Sequence, residues 1–216
     1  PEGVMAQKIL VRLASLRQVN QYAGIALLDG KARQRLRVGG DLKFDSHDSN
    51  FAMQAMRKNE VTRSDIHWSD DLKPEMDMVA PLAVPGTPGP RVIGAVYFHI
   101  DPDTFFFPYV QSWPTTSPSG ETLLVRRDGN DVLYLNELRH RKGAPLKLRL
   151  PIDQPLLPAA MALRGQIGFM EGIDYRGVPV IAVTRKVDGT PWILVAKLDR
   201  AEVNASLHGL TATAGG

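Results

Sequence analysis

The chain has 216 residues, with 26 Lys and Arg against 23 Asp and Glu, and it contains no cysteine. The lack of cysteine excludes disulfides, Cys-ligated zinc, iron–sulfur clusters and thiol nucleophiles. The net charge of +3 is too small to indicate a nucleic-acid partner. A hydrophobic content of 44% is typical of a packed chain, and the length predicts one large domain or two small ones.

The first half of the sequence predicts two helices and five strands. Helical spacing of apolar residues predicts an amphipathic helix within residues 1–22, carried by Val4, Ile9, Leu13 and Leu16. A second helix is predicted over residues 50–60, with Asp48 or Ser49 as its cap. The predicted strands cover residues 24–30, 33–40, 61–68, 76–84 and 91–100.

The second half repeats this order. Its predicted strands cover residues 121–129, 131–138, 146–151, 168–177, 178–189 and 191–199, and its predicted helices cover residues 156–165 and 201–210. The Asp-Gly turns at Asp29 and Asp128 are 99 residues apart, and the strand ends at Asp101 and Asp199 are 98 apart. Such a spacing indicates a duplicated module of about 100 residues, unless these common turns match by chance.

This order of elements predicts an α+β fold with two PAS-like modules, each an antiparallel sheet flanked by helices, on a long N-terminal helix. The predicted boundaries are 1–22 for the helix, 23–104 for the first module and 105–216 for the second. No Walker loop, G-x-S-x-G elbow or H-E-x-x-H helix is present, and no two of the five histidines have ligand spacing on one element. We therefore expect no enzyme in this stretch of chain, the alternative being an enzyme with an unrecognised site.

Alternation along the strands gives the first candidate site. In residues 91–100 one face is wholly apolar and is expected to pack on a helix, whereas the other carries Tyr97 and His99 beside the small Ala95. The mixed face suits a cavity with a few oriented polar groups. We predict a pocket for a cationic or polar ligand, lined by Asp65, His67, Asp77, Tyr97 and His99. The alternative is that the strand at 61–68 forms a solvated edge.

Two further groups of residues are weighed in the same way. Asp65, His67 and His99 offer a possible metal site, but we favour histidines with structural hydrogen bonds, and no metal or other cofactor is predicted. In the second module Asp174, Tyr175 and Arg176 are candidate ligand-binding residues in a turn. The alternative is a plain connection between strands, in which Gly177 supplies a positive φ angle.

Several stretches of the second half resemble the membrane-proximal half of double Cache sensor domains. They are residues 112–143 (SWPTTSPSGETLLVRRDGNDVLYLNELRHRKG), 157–169 (LPAAMALRGQIGF), 171–187 (EGIDYRGVPVIAVTRKV) and 191–199 (PWILVAKLD). In the first half the resemblance is looser and includes SDIH and GAVYFHIDP. Such domains are the extracytoplasmic input domains of bacterial sensor histidine kinases and diguanylate cyclases.

The resemblance implies a periplasmic domain that is tethered to the membrane in the full-length receptor by segments outside this chain. Residues 23–104 would be the membrane-distal module, which in such receptors usually holds a small-molecule ligand, and residues 105–216 the membrane-proximal one. A homodimer through the N-terminal helix is also implied. The pattern that such receptors use for amino acids is not visible in the first module, so the ligand stays open. The alternative is a protein-binding or purely structural periplasmic module.

Overall fold

A computed structural model describes residues 2–40, 44–69, 72–86, 89–104 and 106–205. The chain divides into two compact units, unit 1 (residues 1–105) and unit 2 (residues 106–216). Within the described residues, no helix has both the length and the apolar character needed to cross a bilayer.

Unit 1 is a single antiparallel sheet with one helix on each face. Its helices are α1 (Glu2–Asn20) and α2 (Ser46–Lys58), and its strands are β1 (Gly24–Asp29), β2 (Gln34–Gly39), β3 (Thr62–Arg63), β4 (His67–Trp68), β5 (Pro74–Val84) and β6 (Arg91–Ile100). The strand order is β2-β1-β6-β5-β3, and β4 also pairs with β5. The two longest strands, β5 and β6, therefore lie side by side near the centre of the sheet.

Unit 2 is a second antiparallel sheet. Its helices are α3 (Phe106–Gln111) and α4 (Pro158–Leu163), and its strands are β7 (Glu121–Asp128), β8 (Asp131–Tyr134), β9 (Arg149–Pro151), β10 (Gly168–Ile173), β11 (Pro179–Lys186) and β12 (Trp192–Asp199). The strand order is β10-β11-β12-β7-β8-β9. Residues 200–205 are helical, and the remainder of the predicted C-terminal helix lies outside the described residues.

The two sheets share one topology. If each sheet is followed from the second strand of its unit, the strand orders correspond. The order in unit 1 is β2-β1-β6-β5-β3, and the order in unit 2 is β8-β7-β12-β11-β10. The sequence landmarks occupy equivalent positions, because Asp29 ends β1 as Asp128 ends β7, and Asp101 follows β6 as Asp199 ends β12. The predicted α+β fold with two PAS-like modules is thus confirmed.

Each face of the unit 1 sheet is covered by a different helix, as strand alternation requires. Leu13 of α1 packs with Ile25 and Phe98 on one face. On the other face, Ala52 and other small residues of α2 pack with Ala95 and Tyr97. The apolar face of β6 therefore packs on a helix as predicted. The space predicted beside Ala95 is filled, because Ala95 and Tyr97 are both almost completely buried.

The N-terminal helix differs from its prediction in the face that it buries. Leu13 is buried and Ile9 is half-buried, but Val4 is 64% exposed and Leu16 is 40% exposed. Other apolar residues, such as Val19, are also exposed on α1. The apolar residues are spread around the helix, so the single sheet against which it packs covers only some of them.

Two elements begin or break at unexpected residues. Helix α2 starts four residues before its predicted start, because the Asp45 side chain caps it and Asp48 completes a capping box. The strand predicted at 61–68 is broken into β3 and β4. At the break the Ser64 hydroxyl accepts a hydrogen bond from the Asp77 amide, and the Asp65 carboxylate accepts one from the Ile66 amide. These side-chain bonds to the backbone compete with the strand ladder.

Candidate functional site

The candidate site lies at one end of the unit 1 sheet, where three strands meet. His67 of β4 pairs with Glu75 of β5, and Asp77 of β5 pairs with His99 of β6. Residues two apart on a strand share a face, and so do residues directly opposite on neighbouring strands. The register therefore brings four side chains together, and we call His67, Glu75, Asp77 and His99 the histidine–carboxylate cluster.

In this cluster each carboxylate lies between the two imidazoles. His67 Nε2 is 3.2 Å from Glu75 Oε1 and 3.7 Å from Asp77 Oδ2. His99 Nδ1 is 3.2 Å from Asp77 Oδ1, and His99 Nε2 is 3.5 Å from Glu75 Oε2. Two of these four distances exceed the usual range for an N–H···O hydrogen bond, and the other two lie at its upper limit.

The cluster becomes more buried towards Asp77. The Asp77 side chain is 3% exposed, whereas the His67 side chain is 31% exposed. The hydrogen bond to Glu75, opposed by desolvation, raises the pKa of His67 to about 9. Burial lowers the pKa of His99, but its hydrogen bond to Asp77 and the charges of both carboxylates outweigh burial and leave that pKa above its ordinary value. Both imidazoles thus favour a proton between the carboxylates.

Tyr97 and Asp48 extend the polar cluster towards α2. The Tyr97 hydroxyl donates a hydrogen bond to Asp48 Oδ1 at 2.8 Å, although the two residues are 49 positions apart. Burial raises the pKa of both Tyr97 and Asp48. Because Asp48 also accepts the Asp45 amide in the capping box, this bond joins the first turn of α2 to the sheet.

Four of the five residues predicted for this pocket converge, and Asp65 does not. The Asp65 carboxylate accepts the amide of Ile66, and only the Asp65 backbone carbonyl reaches His67, 3.0 Å from Nδ1. The break between β3 and β4 explains the difference, because the alternation assumed for a continuous strand fails there. Sequence reasoning missed Glu75, although it stands two residues before Asp77 and strand alternation would have placed both on one face.

The candidate residues of unit 2 form a different kind of site. Lys197 Nζ is 2.8 Å from both Glu121 Oε2 and Asp174 Oδ2, and its side chain is 1% exposed. Arg176 pairs with Asp174 and with Asp199. We call Glu121, Asp174, Arg176, Lys197 and Asp199 the buried ion network.

The cations of this network favour the ionised form of Asp174. Burial raises the pKa of Asp174, but hydrogen bonds from Lys197 and Arg176 outweigh burial and hold the pKa below its ordinary value. The Tyr175 hydroxyl is 3.0 Å from both oxygens of the Glu121 carboxylate. Asp174, Tyr175 and Arg176 are thus joined to partners inside unit 2, and Gly177 has the predicted positive φ.

Unit 2 also contains an open cleft that the sequence did not indicate. Its volume is about 510 Å³, and its lining includes Trp113, Glu121, Arg139 and Lys142. The three predicted residues of the second module are not in this lining. No spacing in the sequence could have indicated the cleft, because its walls come from the loop after α3, the start of β7 and the segment after β8.

Comparison with solved structures shows the fold clearly. The extracellular domain of mmHK1S-Z3, a protein assigned as a histidine kinase, aligns over 95% of this chain and 83% of its own, with 15% identity and a TM-score of 0.65. A domain assigned to the sensory box/GGDEF family, from Vibrio parahaemolyticus, covers 92% of this chain and 80% of its own, with 14% identity and a TM-score of 0.57.

A third neighbour is the ligand-binding domain of Mlp24 with asparagine, which covers 91% of this chain and 76% of its own, with 12% identity and a TM-score of 0.54. No protein-family model matches the chain, and no curated protein matches its sequence. The chain therefore has the fold of extracytoplasmic sensor domains, as the sequence resemblance predicted. Two of these three neighbours are named as an extracellular domain and a ligand-binding domain.

Proposed function

We propose that this chain is the extracytoplasmic ligand-sensing region of a bacterial transmembrane receptor, either a sensor histidine kinase or a diguanylate cyclase. The observation that carries the proposal is the shared fold over 95% of the chain with the extracellular domain of a protein assigned as a histidine kinase. Unit 1 is then the membrane-distal module and unit 2 the membrane-proximal one. The receptor would be held in the inner membrane by segments outside this chain, with the two units in the periplasm.

The ligand site of this proposal is the end of the unit 1 sheet that carries the histidine–carboxylate cluster. Its polar groups converge from three strands, and the Tyr97–Asp48 bond joins them to α2. A ligand that pairs with Asp77 or His99 would change the partners available to Tyr97 and Asp48, and so the position of α2. It would shift the receptor only as far as it binds one conformation better than another.

The N-terminal helix is the proposed route of the signal and the proposed dimer contact. Val4, Met5, Val11, Leu16 and Val19 are each at least 40% exposed on α1, which is more apolar surface than a solvated helix requires. Pairing of α1 with its copy in the full-length receptor would cover part of this surface. Arg17 Nε donates to the carbonyl of Ala23, so a hydrogen bond links the last turn of α1 to the residue before β1.

The proposal is tested by thermal unfolding of the purified chain against a library of small metabolites. We expect at least one class of polar or cationic compound to raise the melting temperature, because a ligand that binds only the folded state stabilises it. His99→Gln should remove that shift, and His140→Gln, a change of a mostly exposed histidine in unit 2, should leave it intact.

The alternative is a protein-binding or structural module without a small-molecule ligand. It would be favoured if no compound stabilises the chain while a periplasmic protein binds it in a stoichiometric complex. Replacement of the native sensor of a histidine kinase with this chain tests the signalling half of the proposal. A chimera whose output does not respond to a compound that the isolated chain binds would overturn the signalling role.

A further inference from the structure

We propose that His67, Glu75 and Asp77 form a binding site for a divalent transition-metal ion, with Zn²⁺ as the ion that fits best. One imidazole nitrogen and two carboxylates are ligands that zinc takes in proteins, whereas Ca²⁺ and Mg²⁺ prefer oxygen ligands alone. The proposal differs from the expectation of the sequence, which considered Asp65, His67 and His99 and predicted no metal. Glu75 and Asp77 take the places of Asp65 and His99, and this change makes the geometry favourable.

The first argument is the spacing of the ligand atoms. His67 Nε2 is 3.2 Å from Glu75 Oε1 and 3.7 Å from Asp77 Oδ2. Charge-assisted hydrogen bonds between such groups are shorter, about 2.7–2.9 Å. Ligand atoms around a tetrahedral zinc ion, with bonds of about 2.0–2.1 Å, stand about 3.3–3.4 Å apart. The observed distances are therefore close to the ligand separation around a metal and are long for a direct ion pair.

The second argument is the orientation of His67. Its Nδ1 lies 3.0 Å from the Asp65 backbone carbonyl, which can only accept a hydrogen bond. Nδ1 must then carry the hydrogen, and the lone pair of the neutral ring is on Nε2, the nitrogen that faces both carboxylates. Metal-binding histidines usually have this arrangement, in which a carbonyl or carboxylate holds the other nitrogen and fixes the tautomer.

The third argument is the support of the carboxylates by His99. While Asp77 Oδ2 and Glu75 Oε1 face His67, Asp77 Oδ1 and Glu75 Oε2 face His99 at 3.2 and 3.5 Å. His99 is therefore a positioning residue that holds the outer oxygens of both carboxylates. Such partners outside the ligand set typically change metal affinity about 10–100-fold when they are lost.

Charge and access also favour a cation. Within the described part of the chain, the ion pairs of Glu75 and Asp77 are with His67 and His99 alone, so two carboxylates have no permanently charged partner. Asp77 is buried, but Glu75 and His67 remain 19% and 31% exposed, which leaves a path for an ion from solvent. A proton on His67 is the competing occupant of this position, and the experiment below separates the two.

A second group of possible ligands, Asp45, His47 and Asp48, carries no such proposal. The Asp45 and Asp48 carboxylates already accept backbone amides of α2 in the capping box. Its members are mostly exposed, and the cap explains their positions. This group instead supplies a control, because His47 is within 6.0 Å of the His67 ring and would bind any zinc that is attracted to this region without using the cluster.

The test is titration calorimetry of the chelator-treated chain with ZnCl₂ in excess Mg²⁺. We expect saturation at one zinc per chain. Glu75→Gln, which keeps size but removes charge, and His67→Gln should abolish saturable binding, and His99→Gln should weaken it about 10-fold or more. His47→Gln and His140→Gln are matched controls and should bind as the wild type does. Cobalt in place of zinc should give visible absorption of four-coordinate intensity that is lost in Glu75→Gln.

Three results would overturn the site. They are binding of several weak equivalents, binding that Glu75→Gln leaves unchanged, and binding that is lost in His47→Gln but not in His67→Gln. Circular dichroism of each variant shows whether it folds, and if His67→Gln does not fold, Glu75→Gln alone decides.

The metal site gives the proposed sensor a specific ligand. Zinc binding itself does not depend on the sensor proposal, but a signalling role for zinc does. Zinc binding to the isolated chain can therefore fail while another ligand still drives a chimeric receptor, and the reverse result is also distinguishable. If zinc binds the chain but leaves the output of the chimera unchanged, the metal site stands and its signalling role is what fails.

Discussion

The two units place different cationic side chains at one equivalent position. In unit 1, His99 pairs with Gly24, the first residue of β1, and in unit 2, Lys197 pairs with Glu121, the first residue of β7. Each of these cations lies between two carboxylates. Lys197 is 2.8 Å from its two partners and 1% exposed, whereas His99 is 3.2 and 3.5 Å from its partners and 20% exposed.

The environments of Lys197 and His99 indicate a structural role in unit 2 and a binding role in unit 1. Lys197 is buried and lies 2.8 Å from each of its two carboxylates, so the buried ion network is closed at this position. His99 lies farther from its two carboxylates and is more exposed, so these carboxylates can accept another cation or a polar ligand. The same fold thus contains a buried ion network in unit 2 and a cluster in unit 1 that can bind a ligand.

We expect the largest effect on stability from removal of the Lys197 ammonium group. Lys197→Met leaves the buried Glu121 without its cation and leaves Asp174 with Arg176 alone, and it should lower the free energy of unfolding of unit 2 by about 3–5 kcal/mol. Urea titration followed by tryptophan fluorescence measures this loss. In a Trp68→Phe background the remaining tryptophans, Trp113 and Trp192, both lie in unit 2 and report that unit alone.

Lys186→Met is the matched control, because Lys186 is an exposed lysine on the neighbouring strand β11. It should change the stability by less than about 0.5 kcal/mol. If Lys197→Met cost no more than this control, the buried ion network would contribute nothing to the fold and the contrast between the units would fail.

A smaller loss is expected when acid neutralises one member of the network. The folded state holds the pKa of Asp174 below its ordinary value of 3.8, so the stabilisation is fully present above that value and is lost as the pH falls through the lowered one. Unit 2 should therefore lose stability as the pH falls from about 5 to about 2. The effect is smaller than that of Lys197→Met because Lys197 keeps Glu121.

Urea titrations at several pH values, in the same Trp68→Phe background, measure this dependence. Asp174→Asn should flatten the curve, and Asp153→Asn, a change of an exposed aspartate, should not. An Asp174→Asn variant with the same acid dependence as the parent would show that other carboxylates cause it.

The fold could be predicted from sequence further than the site could. Alternation and turn signals are local, so the paired landmarks at Asp29 and Asp128 were enough to indicate two similar modules. The cluster depends on register between strands, which places Glu75 opposite His67 although no local pattern links them. The side-chain bonds of Ser64 and Asp65 that break the strand could not be predicted either, because one of them needs a partner 13 residues away.

A substitution that gives unit 1 the cation of unit 2 tests whether the two positions are equivalent. His99→Lys should place a permanent charge between Asp77 and Glu75, as Lys197 does between its partners. We expect the affinity for zinc to fall about 10-fold or more, since Glu75 and Asp77 lose their positioning residue. Calorimetry with ZnCl₂ measures this. His140→Lys is the control, and unchanged affinity in His99→Lys would show that the equivalence of the two positions has no chemical meaning.

The smallest effect concerns the bond that joins the cluster to α2. Tyr97→Phe removes the hydroxyl that donates to Asp48 and leaves that carboxylate with one partner fewer in a half-buried place. The free energy of unfolding of unit 1 should fall by about 0.5–1.5 kcal/mol, the usual net value of one hydrogen bond. Urea titration followed by the fluorescence of Trp68, in a variant whose two unit 2 tryptophans are replaced by Phe, measures this loss.

Tyr109→Phe removes the hydroxyl of a tyrosine that is 71% exposed in unit 2, so it should leave the unfolding of unit 1 unchanged. The same Tyr97→Phe variant also tests how α2 depends on the cluster. If α2 is held to the sheet by this bond, hydrogen exchange in the first turn of α2 should speed up more than exchange in its last turn, where Ala55 and Met56 remain packed on the sheet. Equal changes at both ends would mean that apolar packing alone positions the helix, and a ligand at His99 would then have no route to α2 through Tyr97.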